Sequence, residues 1–247
     1  MTSSFSALCS DFYVNQKLAV KLDLPRSRET VLDLFERIRR EFPSMQAFKR
    51  YQDELALESP ASDSPHRWLA IRTNTLRSGA VNPGDLSAAY ALHRHILEVA
   101  PYFLSISALD VEHLELLYGF DLECPADHDQ IVHRALLAGT RLGVMGDMPG
   151  ATPTDCQPMF GIRFDDAAQI EAHLEIKTRT AADTRRASGL LASESISVYV
   201  ILRSFAPVTD VSRMVATFDR LTRLGEELVE SRVVPEILVP LRQEISA

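Results

Sequence analysis

Two alternating runs separated by only a few residues set the first limit on how this chain can fold. "MFGIRFD" is followed almost at once by "IEAHLEIKTRT" (170–180). Polar and apolar side chains that alternate with a period of two mark a half-buried β-strand. Parallel neighbours need a long crossover, and this gap has no room for one, so the two strands pair antiparallel. "NQKLAVKLDL" (15–24) alternates in the same way, with Leu18, Val20, Leu22 and Leu24 on one side and Lys17, Lys21 and Asp23 on the other. Further strands are expected over "RWLAIRTNTL" (67–76), over "PYFLSIS" and "VEHLELLYGFDLE" (101–123, turning at Asp110), and over "SISVYVILRSF" (195–205).

Helical spacing takes over elsewhere. Ser27 is placed to cap "RETVLDLFERIRREF", where Val31, Leu34, Phe35, Ile38 and Phe42 recur at helical intervals. A second helical piece is expected over "MQAFKRYQDELAL", and "ESPASDSPH" (58–66) reads as a loop. A helix over 82–100 would start with Asn82 as its cap, and Asp127 with Gln130 can form a capping box for a helix over 128–138. A long helix from about 210 to 231 carries Val211, Met214, Val215, Phe218, Leu221, Leu224 and Leu228 on one stripe, and Pro235 would open a final short helix. That stripe suits a sheet face first and a partner helix second.

These elements define an α+β fold, with antiparallel sheet covered by amphipathic helices. Residues 101–116 and 158–176 share a Pro-x-Phe start, an acidic turn and a Glu-rich second strand. A duplication into two ferredoxin-like halves would account for the echo. The expected halves are 1–140 and 158–247, joined by a Gly- and Pro-rich linker or loop at 141–157, with one continuous domain as the alternative.

Composition narrows the function. Net charge is −8 with a pI near 5.4, which argues against a nucleic-acid binder, since such proteins need clustered basic surface. Three cysteines, without a CxxC pair, fit neither a disulfide framework nor a zinc ribbon. The N-terminus lacks the basic and apolar regions of a secretory leader, and no stretch approaches the roughly 18 apolar residues of a membrane span. The expectation is a cytoplasmic protein with no membrane partner and no cofactor.

The most chemically suggestive segment is the strand at 170–180. Its period of two places Glu171, His173, Glu175, Lys177 and Arg179 on one face. Carboxylates there could hold a metal, and Lys and Arg a phosphate. The fragment "HLEIK" partly resembles the Glu-x-Glu-x-Lys strand motif of triphosphate tunnel enzymes, with His173 where the first Glu is expected. That resemblance covers five residues and implies metal at the carboxylates and phosphate at Lys177. The competing account is a solvated strand face, where cross-strand charge pairs contribute roughly 0.2–1 kcal/mol each.

Lys177, Arg179, Arg185 and Arg186 form the most basic short stretch and could grip an anion, since Arg forks bind carboxylate and phosphate in bidentate fashion. "RRAS" also fits a basophilic kinase site at Ser188. No metal site is expected from Cys124, His128 and His133, because histidines five apart on a helix diverge. Cys156 could act as a nucleophile only with a base brought from elsewhere in the fold. No P-loop or dinucleotide-binding fingerprint appears. The functional expectation is therefore a non-enzymatic binding or assembly module, with a protein partner or self-association. The alternative is a metal-assisted phosphate-processing enzyme using the charged strand. The sequence names no small-molecule ligand.

Overall fold

The computed structural model describes residues 4–165, 169–178 and 195–247. Among the described residues nine strands form one sheet, in the order β2-β3-β4-β5-β1-β6-β9-β8-β7. They are β1 (Asp11–Val20), β2 (Ala47–Arg50), β3 (Leu55–Glu58), β4 (His66–Ile71), β5 (Thr75–Val81), β6 (Val111–Glu123), β7 (Met159–Asp165), β8 (Ile170–Lys177) and β9 (Ser195–Ser204). Every neighbouring pair is antiparallel. The pairing of β6 with β9 carries the sheet from the N-terminal stretch into the C-terminal one without a break. The helices are α1 (Arg28–Glu41), α2 (Leu86–Phe103), α3 (His128–Val132), α4 (Met214–Leu228) and α5 (Val239–Ser246). None in the described residues is long and apolar enough to cross a membrane.

The helices pack on one face of the sheet. Val14, Leu18, Leu76, Leu116, Phe120, Ile196, Val198 and Leu202 on that face are all fully buried. Ser27 caps α1 by accepting from Thr30 N, and Val31, Leu34, Phe35 and Ile38 face inward, as their spacing requires. On α4, Gly225 lets the helix approach β6 and β9. A Cβ there would run into the Tyr118 ring and come 3.1 Å from Leu202. Tyr118 cannot yield easily, because its hydroxyl meets the Tyr90 hydroxyl at 2.7 Å and donates to Thr222 O at 3.3 Å. Gly225→Ala should therefore destabilise the protein by about 1–3 kcal/mol, despite a gain in helix propensity of up to about 1 kcal/mol. Urea unfolding would show the loss.

Several expectations need correcting. Residues 45–57 are not helical: they form β2 and β3 around a turn closed by Tyr51 N donating to Glu54 O. A short apolar run satisfies either period, and here sheet pairing decides. The single strand expected over 67–76 is a hairpin of β4 and β5, and the following helix starts at Leu86 with Asp85 as cap. Asn82 instead takes a positive φ of 50° and accepts from Phe12 N at 2.9 Å. Residues 101–103 finish α2, so the hairpin expected over 101–123 is the one long strand β6. Pro101 lies in the last turn of α2, whose apolar stripe continues through Ala100 to Leu104. The echo between 101–116 and 158–176 is lost with that hairpin, since only the second segment forms one.

The C-terminal helix also runs further than expected. Between α4 and α5, Val229–Leu238 forms wide helical turns that contain Pro235. A proline lacks the N–H for a normal helical bond and crowds the carbonyl four residues back, and a wide turn accommodates both. A similar wide turn follows α3, where Ala138 N donates to His133 O. The segment after it folds back on His133, whose Nε2 lies 3.1 Å from Gly143 O.

Candidate binding face

The face of the sheet opposite the helices gathers the charged residues. Register places Arg77, Lys17, Glu115, Arg203, Glu171 and Arg163 in one row across β5, β1, β6, β9, β8 and β7. Glu115 sits between two cations, 2.6 Å from Arg203 Nε and 3.5 Å from Lys17 Nζ. Glu171 lies 2.8 Å from Arg163. Burial pushes the Glu115 carboxyl upward, but the Arg203 hydrogen bond and the Lys17 charge outweigh it and hold the group below the usual carboxylate range. The Arg163 hydrogen bond likewise lowers Glu171.

Beside this row lie aromatic rings seated on glycines. Tyr13 covers Gly119, and Trp68 covers Gly79; a Cβ on either glycine would strike the ring. His173 sits over Gly161, where a Cβ would come 2.8 Å from Nδ1. Rings laid over strand glycines restore contacts that a missing side chain leaves open. Tyr13 also approaches Tyr199, with centroids 6.4 Å apart, and Arg77 stands 5.5 Å from the Trp68 ring centroid. At the β2–β5 end the face opens into a cleft of about 480 Å3, lined among others by Tyr51, Glu54, Trp68, Arg72 and Arg77. Within it Arg72 binds Glu54 at 2.6 Å.

The charged strand read from the sequence is β8, and Glu171, His173, Glu175 and Lys177 share this open face, since they register with Arg203, Ile201, Tyr199 and Ser197 of β9. They are largely engaged with one another and with β7: His173 Nε2 lies 3.6 Å from Glu171, and Lys177 lies 3.7 Å from Glu175. Arg179, Arg185, Arg186 and Ser188 lie outside the described residues. Among the described residues no group of three or more His, Cys, Asp or Glu side chains is placed to hold a metal ion.

The other candidates are dispersed. His128 Nε2 lies 2.9 Å from Cys124 O, while His133 turns to Gly143. Cys156 is buried, its N–H donating to Asp129 Oδ1 at 2.9 Å. Burial first, then the charges of Asp129 and Asp155, push its thiol upward. That is the reverse of what an activated nucleophile needs.

Sequence reading missed Lys17, Glu115 and Arg203 as a group, and also Trp68 and Arg77. The available signal was a charge recurring within otherwise apolar strands. Its partners lie far away in the chain, with Arg203 and Glu115 88 positions apart. No family model matches this chain, and no curated protein compared with it gives a match.

Proposed function

We propose that this protein is a non-enzymatic binding or assembly module that receives a protein partner on the open face of its sheet. The observation that carries this reading is the row Arg77, Lys17, Glu115, Arg203, Glu171 and Arg163, flanked by Trp68, Tyr13 and Tyr199 on the face opposite the packed helices. Aromatic side chains and arginine are the groups on which protein interfaces most often depend. A row of mixed sign suits a partner surface of mixed charge; a polyanion would call for one sign.

Connectivity also supports an internal duplication, with the halves dividing before β6 and not at residues 141–157. β1, α1, a meander β2–β5 and α2 are followed by β6, α3, a meander β7–β9 and α4, and each meander returns its last strand beside the first strand of its half.

A second reading, metal-assisted phosphate processing by Glu171, Glu175, Lys177 and Arg179, draws support from the shared face of the first three. One experiment separates the two. Wild type and Glu175→Ala are heated with Mg2+, Mn2+ and triphosphate, alone and combined, and wild type and Arg77→Glu/Arg203→Glu are used as bait in extract from the native cell. The binding-module reading expects no metal-dependent rise in Tm, and a protein retained by wild type but lost from Arg77→Glu/Arg203→Glu. A metal-plus-triphosphate rise that disappears in Glu175→Ala would replace it with the phosphate reading. At a hundredfold excess over Kd that rise corresponds to about 2.7 kcal/mol.

A further inference from the structure

The two edges of the sheet are built differently. β2 is four residues long, and its Phe48 packs against Phe35 with ring centroids 5.6 Å apart, while Lys49 pairs with Glu58 at 2.7 Å. A short, charged strand is how proteins protect an edge from unwanted pairing. β7 is seven residues long and reads Met-Phe-Gly-Ile-Arg-Phe-Asp. Met159 and Phe160 are each 68% exposed, Ile162 is 40% and Phe164 is 39%. Among the described residues no strand lies on the outer side of β7.

The backbone of β7 is half used. Ile176 N donates to Pro158 O, and these residues stand opposite each other if the register of Met159 with Glu175 is extended by one. Antiparallel pairing then turns the backbone groups of Phe160 and Ile162 toward β8 and those of Met159, Gly161 and Arg163 outward.

We propose that the β7 strands of two copies pair antiparallel about a two-fold axis through Ile162, joining two nine-stranded sheets into one. In this register Gly161 and Arg163 of each copy exchange their outward N–H and C=O groups with Arg163 and Gly161 of the other. Ile162 faces Ile162 on the side of the sheet that carries the helices, and Phe160 comes to Phe164, where a bulge between Arg163 and Asp165 ends the regular pairing of β7. These are non-hydrogen-bonded pairs, in which side chains come closest, and aromatic and β-branched partners are the favoured occupants. Arg163 meets a glycine, so no cation faces its like. Shifting the axis to Arg163 would set two guanidinium groups opposite each other, and shifting it to Gly161 would leave Phe164 without an aromatic partner. The pairing closes on itself: each copy spends its one apolar edge, and the protected β2 edge stops growth at two.

Sedimentation equilibrium over a concentration series tests this, with Ile162→Lys and Ile162→Cys. Wild type should show a concentration-dependent dimer. Ile162→Lys puts like charges on the axis and should be monomeric, with an unchanged far-ultraviolet circular dichroism spectrum. Ile162→Cys should form a disulfide-linked dimer under mild oxidation, because Cα atoms in such a pair stand about 4.5 Å apart. Phe160→Cys should not, because its partner is Phe164. The three native cysteines are buried and add little background. A wild type that stays monomeric would overturn the proposal. So would a dimer that survives Ile162→Lys and fails to cross-link through Ile162→Cys.

Discussion

Replacing Phe218 with alanine should remove about 3–5 kcal/mol of stability. Phe218 is fully buried on α4, and its ring meets Tyr90 and His93 of α2 edge-on, with centroids 5.9 and 5.7 Å away. It is the wedge between the two helices that lie over the centre of the sheet. Truncation removes the burial of an aromatic ring and leaves a hole lined by Tyr90, which is held through Tyr118, and by His93, which is held through Ser78. Neither neighbour is free to collapse into the space, which places the loss toward the upper end of the range. Urea unfolding at neutral pH is the measurement. A loss below about 1 kcal/mol, typical of surface changes, would mean that α4 does not seat on α2 through this ring.

Acid should destabilise the protein through His93. This imidazole has no exposed surface, with Nδ1 2.8 Å from Ser78 Oγ and Nε2 3.3 Å from Val14 O. Burial, with a smaller contribution from Arg94, outweighs the Val14 carbonyl and holds its pKa down to about 3, against 6.5 for an ordinary histidine. Above pH 6.5 the side chain is neutral in both folded and unfolded chains and contributes no pH dependence. As pH falls below that value the unfolded chain takes up a proton that the folded one refuses. Stability should then fall by about 1.4 kcal/mol per pH unit toward the folded pKa. His93→Gln removes the titrating group, so its stability should decline less steeply between pH 4.5 and 6.5. Parallel slopes for the two proteins would show that His93 is not held neutral by the fold.

The parts of this architecture that were legible in the sequence share one property: the signal is local. β8 alternates strictly and follows β7 after a gap of only a few residues, so strand, facing and antiparallel pairing could be read from residues 159–177. The Ser27 and Asp127 caps were legible because a cap acts within three residues. Local signals failed where two structures share one pattern. Met45 and Phe48 are spaced for a helix, yet Phe48 belongs to a strand and finds its contact in Phe35. Pro101 looked like a boundary, but it sits in the last turn of α2. The candidate face was legible only as the β8 quarter of it. Glu115 gains its meaning from Lys17 and Arg203, which the chain brings from both of its ends. His93 is held in place by Ser78 and Val14, both distant in the chain, so its burial carries no local signal.

The strand order has a consequence for synthesis. β1 is made first, yet it occupies an inner place, flanked by β5 and β6. One of its edges waits only for β5, but the other waits through the making of about a hundred residues, until Glu115 can reach Lys17 from a distance of 98 positions. The β2–β5 meander, by contrast, can zip along short connections as it leaves the ribosome. At about 5–20 residues per second, β1 stays without its β6 partner for several seconds or longer. Non-local pairing of this kind slows folding, so β1 keeps an open edge after the β2–β5 meander has formed. Until then its apolar face, Phe12, Val14 and Leu18, is the part of the nascent chain most in need of shelter.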